Sequence, residues 1–127
     1  MRTLLFSSTI VLLSILLTAC GSAATPAATS SKPVNIEVEA NPATMGDLEL
    51  ILIVTDANGN PMEGATVDVT ATHTDMTGMD MSGAATEHGG GKYAINANFS
   101  HSGNWKLKVY VRKEGLDYSE EIDLPVQ

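Results

Sequence analysis

The residues of this sequence best suited to chemistry lie in and around a segment in which methionine and histidine stand among polar residues. Six side chains form the candidate ligand set, namely Met76, Met79, Met81, His73, His101 and His88. Thioether sulfur is a soft donor that suits Cu(I), whereas imidazole binds both Cu(I) and Cu(II). Residues 74–90 contain no Leu, Ile, Val, Phe, Tyr or Trp, so the methionines lack the apolar neighbours of a core element. The pattern therefore predicts a copper site, with Cu(I) favoured over Cu(II) and with Met79 and Met81 as its foremost ligands.

The positions of these residues along predicted strands indicate how they would meet. In an extended chain Met79 and Met81 point to one side, and a glycine bend is needed for Met76 to join them. His73 continues the inward-facing positions of the strand before it, and His101 does the same for a later strand. If both strands finish at the same end of the domain, the two histidines and the methionines converge there.

The same segment has a second interpretation that needs no metal. A methionine-containing loop can serve as an adaptable apolar lid over one end of a domain. Single histidines at strand ends are more often solvated or hydrogen-bonded than bound to metal. Met45 and Met62 stand alone near turns, and we interpret both as packing residues.

Composition argues against several classes of function. Fifteen acidic side chains against 7 basic ones give a net charge of −8, which argues against nucleic acid as a partner because phosphates need clustered Lys and Arg. A single cysteine excludes an intrachain disulfide and a cysteine-rich zinc site. Because we recognise no nucleophile elbow, phosphate loop or paired-carboxylate site, we expect the protein not to be an enzyme. A chain of 127 residues is long enough for one small domain.

The N-terminal residues resemble the leader of a bacterial lipoprotein. Arg2 precedes an apolar stretch at 4–17, which is shorter than the roughly 20 residues of a membrane-spanning helix. Its last residue, Leu17, begins the sequence Leu17-Thr18-Ala19-Cys20. The resemblance implies acylation of the Cys20 thiol and a mature protein outside the cytoplasm, anchored by lipid to the cell membrane or the outer membrane. The predicted division is a signal peptide at 1–19, the lipidated cysteine with a flexible linker at 20–33, and a folded domain at 34–127. The alternative is an uncleaved anchor helix with an incidental cysteine.

Apolar residues alternate with polar ones throughout the folded part, which predicts strands. Six runs show this alternation, at 34–38, 48–54, 67–71, 93–99, 105–111 and 118–124. The second run also carries Ile51 and Ile53 on its other face, which indicates a central or partly covered strand. Turn residues such as those at 56–61 have the spacing of a sandwich. We therefore predict an all-β fold, an immunoglobulin-like antiparallel β-sandwich of six or seven strands, with Trp105 as a core anchor and Tyr93 as a tyrosine corner.

Four short motifs occur in an order that resembles a known family. They are Asp56-x-x-Gly59-x-Pro61-x-x-Gly64-Ala65-x-Val67, Met76-x-x-Met79-x-Met81, Gly91-x-Tyr93 and Ser102-Gly103-x-Trp105. Their order, over residues 45–112, resembles the YtkA-like/FixH-like family of small extracytoplasmic β-sandwich domains. The resemblance implies a role in copper handling and in the assembly of respiratory oxidases. It implicates Met76, Met79 and Met81, with His73 and His101 beside them.

These observations predict a lipid-anchored extracytoplasmic protein that binds Cu(I) through its Met/His-rich loop and buffers the ion or transfers it. The expected partners are the membrane, through the lipid on Cys20, and a copper-accepting or copper-donating protein of the cell envelope. The alternative is a metal-free immunoglobulin-like module that binds another envelope protein.

Overall fold

The computed structural model describes residues 32–127, and these residues form an all-β domain. The strands are β1 (Val34–Val38), β2 (Gly46–Asp56), β3 (Thr66–His73), β4 (Asp80–Ala84), β5 (Thr86–Gly89), β6 (Lys92–Phe99), β7 (Gly103–Lys113) and β8 (Leu116–Val126). Across this part of the chain there is no helix long and apolar enough to cross a membrane. The predicted signal peptide, the predicted lipidation site at Cys20 and most of the predicted linker lie outside the described residues.

Two four-stranded antiparallel sheets make up the domain. The strand order is β1-β2-β6-β5 in the first sheet and β4-β3-β7-β8 in the second. The predicted fold class, an antiparallel β-sandwich, is confirmed. β2 lies between β1 and β6, so the central position predicted from its two apolar faces is also confirmed. The methionine segment, which we expected to be a loop, contributes the short strands β4 and β5 in addition to the six strands read from alternation. The described residues therefore form eight strands, so the predicted number of six or seven is too low.

The core lies between the two sheets because alternate residues of each strand face inward. The largest fully buried side chains include Tyr93, Phe99, Leu50, Leu52, Leu107 and Leu124. Trp105 is 3% exposed and meets the Phe99 ring edge to face, with 5.1 Å between the ring centroids. The tryptophan is therefore a core residue, as predicted. Because residues 32–127 form both sheets and enclose this core, we expect them to fold without the preceding segment.

The strand register defines two opposite ends of the sandwich. β2 begins with Gly46 opposite Phe99 and finishes with Asp56 opposite Val34. The end where β2 begins also carries the β3–β4 turn and the β6–β7 turn, and we call it the methionine end. It is formed by residues 43–45, 74–79 and 100–102. The chain enters β1 at the other end, which we call the Val34 end.

Tyr93 ties two chain segments together near the Val34 end. Its buried phenol donates a hydrogen bond to the Met62 carbonyl at 2.8 Å and accepts one from the Ala65 amide at 3.0 Å. Burial raises the pKa of the Tyr93 hydroxyl. Gly91, the turn residue just before β6, has a φ of 75°, and a Cβ there would lie 2.6 Å from the Val54 carbonyl oxygen. The approach of these two backbones thus requires glycine at the turn.

Candidate functional site

Met79 and Met81 lie side by side at the methionine end. Gly78, with a φ of 79°, turns the chain from β3 towards β4, and Met81 then pairs with Ala71 on the inward face of the sheet. Both methionines are partly buried and pack against the core. They line a common cavity of about 110 Å³, whose wall is formed by Met79, Asp80, Met81, Asn98, Ser100 and Trp105. The prediction that these two thioethers face one side is confirmed.

Met76 lies in the turn between β3 and β4 and is 41% exposed. A second exposed methionine, Met45, lies at the same end, where its amide donates a hydrogen bond to the Gln127 carbonyl just before β2 begins. Met45 is 56% exposed, so its interpretation as a packing residue is wrong, whereas Met62 is buried as expected. The sequence contains an indication of this exposure, because Met45 continues the series of alternate residues Asp47 and Glu49, which face outward in β2.

His73 is buried at the end of β3 and both of its ring nitrogens are hydrogen-bonded. Nδ1 accepts a hydrogen bond from the Asp75 amide at 3.2 Å, which places the ring proton on Nε2. Nε2 then donates to the Ser102 carbonyl, 3.1 Å away. The ring is only 4% exposed. To bind a metal ion, His73 would have to give up one of these hydrogen bonds.

His101 lies in the turn between β6 and β7 and is exposed. The inward position expected for it is wrong, because β6 ends at Phe99 and the chain turns before it reaches His101. Its Nδ1 lies 3.0 Å from the Ser100 hydroxyl, and its carbonyl accepts a hydrogen bond from the Trp105 indole, also at 3.0 Å. Among residues 32–127 no partner hydrogen-bonds its Nε2, which leaves that nitrogen open to solvent.

His88 lies apart from the other candidate ligands. It is an exposed residue of β5, and the neighbouring Gly89 pairs with Lys92 at the start of β6. The length of β6, about 25 Å for an eight-residue strand, therefore separates it from the turn that carries His101. The structure brings five of the six candidates to the methionine end and leaves His88 near the other end. Of these five, His73 has both ring nitrogens occupied by hydrogen bonds.

Apart from His73 and His101, the ionisable side chains at the methionine end are acidic. Asp75 and Asp80 flank the methionines, and Asp47 accepts a hydrogen bond of 2.7 Å from Asn98 in the cavity wall. Residues 45–47, 74–80 and 98–104 include no Lys or Arg. Within the part of the chain that the structure describes, no three His, Cys, Asp or Glu side chains gather as a metal-binding group. A soft cation at this end would therefore depend on thioether sulfur.

The two antiparallel sheets form a small β-sandwich of immunoglobulin type, with the methionine-lined cavity at one end. The sequence profile of the YtkA-like family matches residues 29–110, which is well over half of the chain. The protein therefore belongs to the YtkA-like family, and the resemblance drawn from the four motifs is confirmed. Among curated proteins, none matches this chain.

Proposed function

We propose that this protein is a lipid-anchored, extracytoplasmic copper-binding protein that holds Cu(I) at its methionine end. The observation that carries the proposal is that Met79 and Met81 line the same cavity as the Trp105 ring. Two thioethers supply the soft donors that Cu(I) prefers, and the surrounding acidic side chains favour a cation. The domain binds rather than catalyses, and its cargo is the ion itself.

The Trp105 indole contributes a surface against which a cation can rest. An aromatic face attracts a cation within about 6 Å of its centroid, most strongly when water is excluded. The indole is held in place by its hydrogen bond to the His101 carbonyl and by contact with Phe99. The ring is therefore a rigid wall of the cavity, and the two thioethers form the flexible part.

The remaining ligands come from the two turns beside the cavity. Met76 and His101 are both exposed and able to approach an ion held by Met79 and Met81. His73 acts as a positioning residue, because its hydrogen bonds fix the two turns relative to each other. His88 is omitted from the proposed ligand set because it lies near the Val34 end.

The exposed site suits exchange of the ion with a partner. Because the site is built partly on a surface turn, the ion can pass from it to another protein without unfolding of the domain. The chain enters β1 at the opposite end, separated from the site by the 11 residues of β2, or about 35 Å. With the predicted lipid on Cys20, the methionine end therefore lies away from the point of attachment, where a copper-donating or copper-accepting envelope protein can reach it.

Competition for Cu(I) against a chromophoric Cu(I) chelator tests the proposal. A chain that begins at Gly21 omits the Cys20 thiol, which would otherwise bind Cu(I) itself. We expect the Met79→Leu/Met81→Leu variant to lose about 100-fold or more in affinity, since even groups beyond the ligands change metal affinity by 10–100-fold. Leucine preserves side-chain volume, so the fold should tolerate the change.

Met62→Leu is the matched control, because Met62 is a buried methionine outside the proposed site. Trp105 is the chain's single tryptophan, so its fluorescence provides an independent signal, which Cu(I) should quench in the wild type and in the control alone. The proposal is abandoned if wild type and double variant compete equally for Cu(I), or if Cu(I) leaves the fluorescence unchanged.

A metal-free interaction module is the second candidate function. It is favoured by the packing of Met79 and Met81 against the core, which is what an apolar lid would do. If the two methionines form only a lid, the Met79→Leu/Met81→Leu variant would keep full stability, and the wild type would not compete with the chelator for Cu(I). The same titration therefore separates the two candidates.

A further inference from the structure

Met45 is exposed at the methionine end but has no part in the ligand set proposed above. Among residues 32–127, the large apolar side chains that stay exposed are Met45 and Met76, and both lie at this end. The other methionines of the described chain are buried or pack against the core. An exposed thioether contributes little to packing, but its sulfur is accessible to a soft ion.

Main-chain hydrogen bonds fix the position of Met45. The Ala43 amide donates to the Pro125 carbonyl at 2.9 Å, and the Ala43 carbonyl accepts a hydrogen bond from the Gln127 amide at 2.9 Å. The Met45 amide donates to the Gln127 carbonyl at 2.7 Å. Residues 43–45 therefore run along the end of β8, where Ala43 forms a parallel bridge. Because this segment is anchored, Met45 loses little backbone freedom when its sulfur binds an ion.

Two strand pairings place Met45 beside the β6–β7 turn. Gly46, which follows Met45, pairs with Phe99 at the end of β6. Val126, which precedes the residue that accepts the Met45 amide, pairs with Gly103 at the start of β7. The segment around Met45 therefore meets both ends of the turn, and Met45 lies next to the residues that connect them.

The β6–β7 turn supplies an imidazole and part of the cavity wall. His101 is exposed, and no partner among the described residues hydrogen-bonds its Nε2. Ser100 lines the cavity of the proposed copper site. Asp47, two residues after Met45, accepts a hydrogen bond of 2.7 Å from Asn98, which lines the same cavity. A thioether, an imidazole nitrogen and a carboxylate therefore lie together at the rim of this cavity.

We propose that Met45 is a further ligand of the Cu(I) ion and that it binds the ion together with His101 at the rim of the cavity. Because the ion is the one that the proposed function places at Met79 and Met81, this role of Met45 rests on that function. Thioether and imidazole are both donors that Cu(I) accepts. Residues 45–47 and 98–104 include no Lys or Arg, so no neighbouring cation in these segments opposes the ion.

A ligand at Met45 joins the two sheets through the ion. Met45 directly precedes β2 of the first sheet, whereas Met81 belongs to β4 of the second sheet. A bound ion should therefore restrain the segment before β2. We expect Cu(I) to slow hydrogen exchange of the Met45 amide, because that amide exchanges only when its hydrogen bond to Gln127 opens.

Methyl NMR of the chain from Gly21, with ¹³C in the methionine methyl groups, tests this role without any variant. The signals are those of Met45, Met62, Met76, Met79 and Met81. When Cu(I) is added under anaerobic conditions, we expect the Met45 signal to shift together with those of Met79 and Met81. The signal of Met62, which is buried outside the site, should stay in place.

The Met45→Leu variant adds a measurement of affinity. Leucine preserves the side-chain volume, and the main-chain hydrogen bonds of residue 45 do not depend on the side chain. In competition with the chromophoric chelator, we expect Met45→Leu to lose about 10-fold in Cu(I) affinity. Met62→Leu is the matched control and should bind Cu(I) like the wild type.

Failure of the Met45 role and failure of the proposed function give different spectra. If Met79 and Met81 shift while Met45 does not, or if Met45→Leu binds Cu(I) as tightly as Met62→Leu, Met45 is not a ligand and the proposed function stands. If neither Met79 nor Met81 shifts, the proposed function fails and the role of Met45 fails with it. A Met45 signal that shifts alone also overturns the proposal, because the ion is then not shared.

Discussion

The imidazole of His73 packs edge-on against the indole of Trp105, with 5.1 Å between ring centroids and 72° between ring planes. The same indole contacts Phe99 and lines the cavity of Met79 and Met81. A Cβ at Gly103 would lie 2.8 Å from the His73 Nε2 atom, so the chain at the start of β7 also closes tightly on this ring. His73 therefore stabilises the wall of the proposed copper site from behind.

The His73→Phe variant should lose stability and keep most of its Cu(I) affinity. Phenylalanine retains a ring against Trp105 but leaves the Asp75 amide and the Ser102 carbonyl without their partner. We expect a decrease of about 1–3 kcal/mol in the free energy of unfolding, measured by urea denaturation. Cu(I) affinity should change by less than about 3-fold, because the phenyl ring keeps its place against Trp105 and so preserves the cavity wall, which avoids the 10–100-fold loss typical when a supporting group is removed.

His101→Ala provides the comparison within the same titration. His101 is exposed and its Nε2 has no hydrogen-bond partner in the described part of the chain, so its removal should reduce Cu(I) affinity by about 10-fold with little effect on stability. If His73→Phe instead abolishes Cu(I) binding and unfolds like the wild type, His73 is a ligand and the role assigned to it here is wrong.

Tyr93→Phe should destabilise the Val34 end of the sandwich. The change removes one donor and one acceptor while the Met62 carbonyl and the Ala65 amide remain, and the side chain is fully buried. We expect a loss of about 1–3 kcal/mol in urea denaturation. Tyr110→Phe is the control, because Tyr110 faces outward and contacts Lys108 through its ring. Equal stability of the two variants would contradict the bridging role of Tyr93.

Gly91→Ala should be among the most destabilising single changes in the turn before β6. The new methyl would lie 2.6 Å from the Val54 carbonyl oxygen, in addition to the cost of a φ of 75°. We expect a loss of about 2–4 kcal/mol. Gly90→Ala has a similar φ of 63° and open space around the new methyl, so it should cost about 1 kcal/mol. The difference between the melting temperatures of the two variants measures the cost of the steric clash, because both variants carry the cost of a positive φ.

Asp56 should contribute to stability in a pH-dependent way. Hydrogen bonds from Asn60, its side-chain amide foremost, hold the pKa of the Asp56 carboxyl below its ordinary value of 3.8. A lowered pKa in the folded state stabilises the fold above that ordinary value, and the contribution is lost as the pH falls through the lowered pKa. The Asp56→Ala variant should therefore melt at a lower temperature than the wild type at pH 7.

The difference in melting temperature between wild type and Asp56→Ala should narrow as the pH falls below 3.8. Asp117→Ala serves as the control, because Asp117 is an exposed carboxylate on β8. A difference that stays constant from pH 7 to acid would show that the turn is held by backbone contacts instead of by the charged carboxylate.

The sequence predicted the sandwich through strands whose apolar residues alternate over many positions. The alternation determines which face of each strand is buried, since a shift of one residue would expose every apolar side chain of that face. Examples are Leu50 and Leu52 in β2, and Leu107 and Val109 in β7. β4 and β5 were missed because edge strands of sequence Asp-Met-Ser-Gly-Ala and Thr-Glu-His-Gly have no apolar alternation. Their strand pairing comes from neighbours and not from their own composition.

Residue types and local spacing determined on their own that this chain would form a β-sandwich and that Met79 and Met81 would face one side, because both follow from the two-residue period of a strand. Only the tertiary structure decided which side chains share an end. It placed Met45 next to Gln127 at the methionine end, took His88 to the far end, and occupied both nitrogens of His73. Those outcomes depend on which strands pair and where each strand ends, and such contacts between distant parts of the chain leave no local pattern in the sequence.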